Sequence, residues 1–310
     1  MVLGKNGSKL KLWKKEKLSL FPNSLMKKKI SSIAGVTLIE ILIGILISVI
    51  MMGAMFTSYT AVNSTYRQVT DRAKISQAGR DVVGMIVRDI RMAGFKYFND
   101  NIKTTNEHAP IIITKSSNFA TECDKIDIVY GDVNYNASGS PKYTYERFKI
   151  TYECKRSTVP NKSLPIRPNG TYPPIDAFAI EKSKVKWNPN AGKWWDPDVD
   201  GDSRTFKEEI IVDYIQDLIF NAIDEKGLII NPPPTPTNAK KDFLYKIKTV
   251  DIALNVRSTK EFFRAAKLRK FFALGDTTRD GSGSNTKAKT DKYLRETIVV
   301  SAHARNLGLQ

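Results

Sequence analysis

The sequence predicts an α+β chain: a long N-terminal helix, apolar in its first half and amphipathic in its second, packed on a C-terminal antiparallel β-sheet domain with long loops. Three observations predict it. From Val36 to Phe56 there are 21 residues, and Glu40 is the sole charged one. Beyond that run, apolar residues recur at three- and four-residue steps as far as Ile90, the spacing of an amphipathic helix. After Phe95 the text changes to short alternating runs parted by polar loops, the pattern of half-buried strands.

The apolar run is long enough, at ~1.5 Å rise per residue, to span roughly 30 Å of hydrocarbon. An acid inside such a segment is costly, about 2.5–3.5 kcal/mol for an Asp at the helix centre, so Glu40 calls for a function. Lys27, Lys28 and Lys29 precede the run and predict a cytoplasmic N-terminus with the following domain delivered outside the inner membrane. No Ala-x-Ala-like site closes the run, so the apolar segment is retained rather than discarded as a secretory signal.

The helix continues past the span. Val62, Tyr66, Val69, Ala73, Val82, Val83, Ile86 and Ile90 form its apolar face, while Arg67, Asp71, Arg72, Lys74, Arg80, Asp81, Arg88 and Asp89 decorate the others. Gly94 reads as the stop, which gives one helix over 36–94, roughly 85 Å long. Gly79 and Gly84 are soft spots, at about 1 kcal/mol each against Ala.

The remainder, 95–310, is the globular domain. Strands are expected at Pro110–Thr114, Lys125–Tyr130, Tyr143–Cys154, Ile175–Trp187, Ile215–Ile223, Ile247–Val256 and Leu294–Ala304. Val250, Ile252, Leu254 and Val256 alternate with Asp251, Ala253, Asn255 and Arg257. Between the strands lie long loops at Lys155–Pro174, Asn188–Arg204, Asn231–Lys241 and Gly275–Lys292.

The formal charge of +17 overstates how basic the domain is. Residues 1–35 hold nine lysines and one acid, a net of +8, which leaves +9 on residues 36–310. Charge alone is therefore a weak argument for nucleic acid. Cys123 and Cys154 are the two cysteines. In an oxidising compartment an even number favours one disulfide over two buried thiols that never meet. A zinc site is not expected, because His108 and His303 stand far from ligand spacing.

The run Gly35-Val36-Thr37-Leu38-Ile39-Glu40, behind its basic leader, resembles the cleavage and methylation signature of type IV prepilins and type II secretion pseudopilins. That resemblance implies a type IV pilin-like fold and residues 1–35 as a leader. It also implies a prepilin peptidase cut after Gly35 and N-methylation of Val36. Met26 would start a leader of more usual length, which places residues 1–25 upstream of the true start. Arg88-Asp89-Ile90-Arg91-Met92-Ala93-Gly94-Phe95 resembles the helix end of PilW-type minor pilins. Lys125–Tyr130, Val250–Ser258 and Ile298–Asn306 are further matches in the family's order. J-type pseudopilins share this architecture and are the nearest rival.

The resemblance implies a structural and assembly-priming role in a type IV pilus. The partners implied are other minor and major pilins, the prepilin peptidase, the inner-membrane assembly platform and the lipid bilayer, with the domain in the periplasm and then on the fibre. Within that setting Glu40 neutralises the ammonium that cleavage exposes on a neighbouring subunit's Val36. A rival of another kind is a tip binding module, an adhesin or DNA receptor.

Outside the helix, Asp196, Asp198, Asp200 and Asp202 alternate, with Gly201 in sixth place. This resembles the start of an EF-hand-like calcium loop, although Lys207 occupies the twelfth position. The alternative is a solvated acidic turn. Asp276-Thr-Thr-Arg-Asp280-Gly281 has a similar outline with fewer acids. Trp194 and Trp195 read as residues that pin a long loop. Lys260, Arg264, Lys267, Arg269 and Lys270, interleaved with Phe262, Phe263, Phe271 and Phe272, could contact DNA phosphates, though a solvated basic edge is the commoner meaning. There is no Gly-x-Ser-x-Gly, phosphate loop or His-Glu-x-x-His run, so an enzyme is not expected.

Overall fold

Thr37 starts the long helix α1 (Leu38–Met92). The Glu40 amide donates to the Thr37 carbonyl at 3.0 Å and to its hydroxyl at 3.3 Å, so Thr37 acts as the N-cap. The computed structural model describes residues 35–98, 100–103, 105–116, 123–162, 164–270, 274 and 288–307. The leader before Gly35, Phe271, Phe272 and the fragment 276–281 lie outside the described residues. Two compact units divide the chain, residues 1–60 and 61–310.

In the first unit every large apolar side chain of α1 is exposed. Among the described residues α1 is the one helix long and apolar enough to cross a membrane. Its hydroxyls are satisfied internally: Ser48 donates to the Gly44 carbonyl at 2.7 Å and Thr57 to that of Ala54 at 2.8 Å. A segment surrounded by lipid requires such pairing.

In the second unit burial along α1 begins at Ile75 and continues through Gly79, Val82, Val83, Ile86, Asp89 and Ile90. Two expectations are corrected here. Val62, Tyr66 and Val69 are exposed rather than packed. Asp89, expected on a solvated face, is 1% exposed. It follows Ile86 by three residues and so falls on the same buried stripe. Gly79 is a close-approach site: a Cβ there would meet Ile298 Cδ1 at 2.3 Å and Val256 Cγ2 at 3.2 Å. The helix ends as expected at Gly94, in the left-handed region (φ +74), and its amide donates to the Val129 carbonyl at 2.8 Å.

The sheet is antiparallel and holds β1 (Ile111–Thr114), β2 (Lys125–Tyr135), β3 (Tyr143–Arg156), β4 (Phe178–Asn188), β6 (Phe206–Ile223), β7 (Thr249–Glu261) and β10 (Tyr293–His303), in the order β1-β2-β3-β4-β6-β7-β10. A short strand β5 (Lys193–Trp194) pairs with β4. Strands β8 (Lys267–Lys270) and β9 (Ala288–Asp291) form a separate two-stranded ribbon. The seven expected strands are all present. Strands β5, β8 and β9 lie in stretches with too few apolar residues to show a period.

β6 is twice the expected length because it serves two partners. Its first half pairs with β4 and its second with β7, with a register shift between Ile215 and Asp217 and positive φ at Tyr214 (64°). Leu218, Leu254 and Ile298 lie opposite one another across three strands. With Phe148, Tyr152, Ile126, Ile128 and Phe220 they form the core against Ile86 and Ile90 of α1. The inward alternation of β7 is as expected, but Ala253, Asn255 and Arg257 on its other face are buried too.

Candidate functional site

Gly35, Val36 and Thr37 are non-helical and exposed, and Glu40 sits in the first turn of α1, also exposed. The arrangement Thr-x-x-Glu is that of a capping box at a helix start. A carboxylate there is favoured by the positive end of the helix dipole. The Gly35–Val36 bond therefore lies in exposed, non-helical chain directly ahead of the helix, and Glu40 lies in the helix's first turn.

At the other end of α1, Asp89 anchors the helix to the sheet. Its Oδ2 accepts a 2.6 Å hydrogen bond from the Tyr152 hydroxyl on β3 and a 2.7 Å ion pair from Lys182 Nζ on β4. Burial, and then the Asp89 charge, push the Tyr152 phenol far above its ordinary range, so it remains a donor. Lys182 also lies over the Tyr152 ring, 5.2 Å from its centroid. Nearby, Arg147 of β3 pairs with Asp100 at 2.6 Å with both side chains buried.

A second clasp closes the far edge of β6. Cys123 and Cys154 are joined, with Cα atoms 5.6 Å apart. Next to Cys123, the Asp124 amide donates to the Leu218 carbonyl at 2.9 Å, and its Oδ2 accepts from the Phe220 amide at 3.0 Å. Asp124 thus stands in for a strand on the edge of β6 that β7 does not cover. Its charge is met by Lys115 Nζ at 2.9 Å and by the Ser116 amide at 3.0 Å. Lys115 also donates to Asn221 Oδ1 at 2.8 Å.

The calcium loop expected at Asp196–Asp202 is not assembled. Asp196 instead caps α2 (Pro197–Asp200), accepting from the Asp198 amide. Asp200 Oδ1 accepts from the Asp202 amide and the Thr205 hydroxyl, both at 2.8 Å, while its Oδ2 is buried without a partner. Asp202 accepts from Arg204 Nη2 at 2.7 Å and Lys186 Nζ at 3.2 Å. Both cations reach Glu146 at 2.5 Å as well. Among the described residues no group of three or more Asp, Glu, His or Cys side chains is gathered as a metal site. Cations supplied by β4 and by Arg204 offset the crowded negative charge, and Arg204 holds the Asp202 carboxyl well below the usual range.

Trp194 pins its loop: its ring meets Trp187 edge-on at 5.1 Å and His108 at 5.7 Å, with Lys149 Nζ 5.0 Å away. The Trp195 amide donates to the Lys186 carbonyl at 2.8 Å. His108 is buried against Trp187, with centroids 4.4 Å apart. Burial first, then Arg147 and Lys96, lower its pKa. In the basic segment Phe262 and Phe263 pack on each other at 4.9 Å, and Arg269 lies 3.8 Å over Phe263.

Sequence reasoning missed Asp89, Asp124 and the Arg147–Asp100 pair as structural centres. For Asp89 a signal existed, its place on the Ile86–Ile90 stripe. Asp124 and Asp100 carry no local signal.

No family model and no curated protein matches the chain. Among solved structures it is similar to a type IV-like pilin from Thermus thermophilus, at 9% identity and a TM-score of 0.43, over 75% of this chain and 96% of that one. A likeness this distant carries no weight for function.

Proposed function

We propose that the chain is a minor pilin of the PilW type, a structural component and assembly-priming factor of a type IV pilus. The observation that carries the reading is the exposed, non-helical Gly35–Val36 junction directly ahead of a helix with Glu40 in its first turn. In this reading the prepilin peptidase cuts after Gly35, Val36 becomes the methylated N-terminus, and α1 holds the protein in the inner membrane with its domain in the periplasm. The new ammonium lies at the positive end of the helix dipole, in an apolar setting, and both effects disfavour it. The carboxylate of Glu40 from a neighbouring subunit relieves both and sets the axial offset between copies. Major pilins, other minor pilins and the inner-membrane platform are the partners.

The test is a strain carrying Glu40→Ala as its single copy. The variant is expected to stay in the inner membrane but to drop out of complexes isolated with other minor pilins, and surface pili are expected to fall. Normal piliation and normal recovery of the complex would overturn the reading.

A further inference from the structure

Among the described residues three lysine or arginine side chains are buried: Lys182, Arg147 and Arg257. Lys182 pairs with Asp89 and Arg147 with Asp100. Arg257, on β7 and 4% exposed, has no described carboxylate within ion-pair distance. Its partner in register on β10 is another cation, Arg295, an unfavourable pairing unless both charges are met. Arg295 is met by Asp291, and Arg257 is not. Its Nη1 donates to the Asp176 carbonyl at a long 3.3 Å, and its Nε is buried with no partner. A buried charge left in this state is costly, and it calls for an anion.

The surroundings hold the guanidinium in place without neutralising it. It lies 4.2 Å over the Tyr293 ring and 5.9 Å from that of Tyr214. Tyr214 is in the left-handed region at φ 64°. That conformation is unfavourable for so bulky a residue, and such strain collects at ligand clamps.

Arg257 lines an open cleft of about 410 Å³ together with Asn161, Asp176, Lys289, Thr290 and Asp291, a volume in the range of small-molecule sites. Both acids already have cations: Lys289 and Arg156 meet Asp176, and Arg295 meets Asp291. The charge left over is the single one on Arg257, which one carboxylate balances. Two carboxylates on the wall would repel the second charge of a phosphate dianion. Asn161 and Thr290 bring groups that both donate and accept, and each acid has further lone pairs, so the wall suits hydroxyls.

We propose that this cleft binds a sugar acid. Arg257 takes the carboxylate of a hexuronate, while Asn161, Thr290 and the two acids take its hydroxyls.

The experiment titrates the full chain, in a polyoxyethylene detergent that carries no sugar, with D-galacturonate by calorimetry. D-galactose, acetate and inorganic phosphate are the comparisons. Galacturonate should bind, and galactose, which has the same ring without the charge, should bind about ten-fold or more weakly, because hydrogen bonds to charged groups are the stronger ones. Acetate and phosphate should also bind more weakly. Arg257→Met should abolish binding yet hold or raise the melting temperature, because it removes an uncompensated buried charge and keeps an apolar stem. Should that variant fail to fold, Thr290→Val decides: its side chain is exposed, so galacturonate should weaken about five-fold with the melting temperature unchanged. Trigalacturonate binding more tightly than the monomer would mark an acidic polysaccharide as the source, and binding no more tightly would mark the free acid. Galactose binding as tightly as galacturonate, phosphate binding more tightly than it, or undiminished galacturonate binding in either variant would overturn the proposal.

Discussion

The Asp89 carboxylate and the Tyr152 hydroxyl meet at 2.6 Å in the interior, joining the last turns of α1 to the middle of β3 across 63 residues of sequence. Lys182 completes the group from β4 at 2.7 Å. A helix and two strands are thereby locked in one register by a charge that has no other counterpart on the helix's buried stripe.

Removing one member of a buried ion pair leaves the other uncompensated, which costs about 3–5 kcal/mol. Asp89→Ala should therefore destabilise the domain by that amount. Tyr152→Phe, which removes a hydrogen bond to a charged group, should cost about 1.5–3 kcal/mol. Urea unfolding of the two variants and of the double variant checks this, and the two losses should not add.

His108 sets a pH dependence. Its folded-state pKa is lowered by burial, Arg147 and Lys96, so below about pH 6.5 the unfolded chain takes up a proton that the folded chain resists. Stability from this residue is complete above that pH and declines as pH falls below it. The melting temperature should drop between neutral and mildly acidic buffer. His108→Asn, which preserves an acceptor for the Thr105 amide that now donates to Nδ1 at 3.1 Å, should flatten the drop.

The acidic turn is held by Arg204 and Lys186, which donate to Asp202. Millimolar calcium should leave the melting temperature unchanged, whereas Asp202→Ala should lower it. Because the Asp202 pKa is depressed chiefly by Arg204, its contribution is complete above about pH 4 and is lost as pH falls further. A calcium-dependent rise in melting temperature, filling the partnerless Asp200 Oδ2, would contradict this account.

The Cys123–Cys154 link should leave no thiol to label in the denatured protein. It closes a loop over a sequence separation of 31 residues, which the chain-entropy model puts at about 3–4 kcal/mol. Asp124→Asn should weaken the same seam by removing the carboxylate that pairs with Lys115 at 2.9 Å and leaving the ammonium only neutral acceptors. Hydrogen exchange at the Phe220 amide, which donates to Asp124, should rise in that variant.

Processing at the Gly35–Val36 junction predicts a mature chain that begins at Val36. N-terminal sequencing of protein extracted from membranes should return Val-Thr-Leu-Ile-Glu, and replacing Gly35 with a bulky residue should leave the leader attached. A stable species that retains residues 27–35 would refute it.

The sequence by itself determined what depends on neighbours along the chain. The apolar run, the stop at Gly94, the Gly35–Glu40 motif and the alternation of β7 are all patterns read within a few residues. Tertiary structure alone decided what depends on distant partners. Asp89 is buried because Tyr152 and Lys182 arrive to pair with it. The first half of β6 is a strand because β4 lies beside it, despite a charged, half-exposed text. Asp202 faces Arg204 and Lys186 because β4 brings Lys186 and β3 brings Glu146 to the same place. A charged group's environment is set by what packs across from it, and the local sequence does not carry that information.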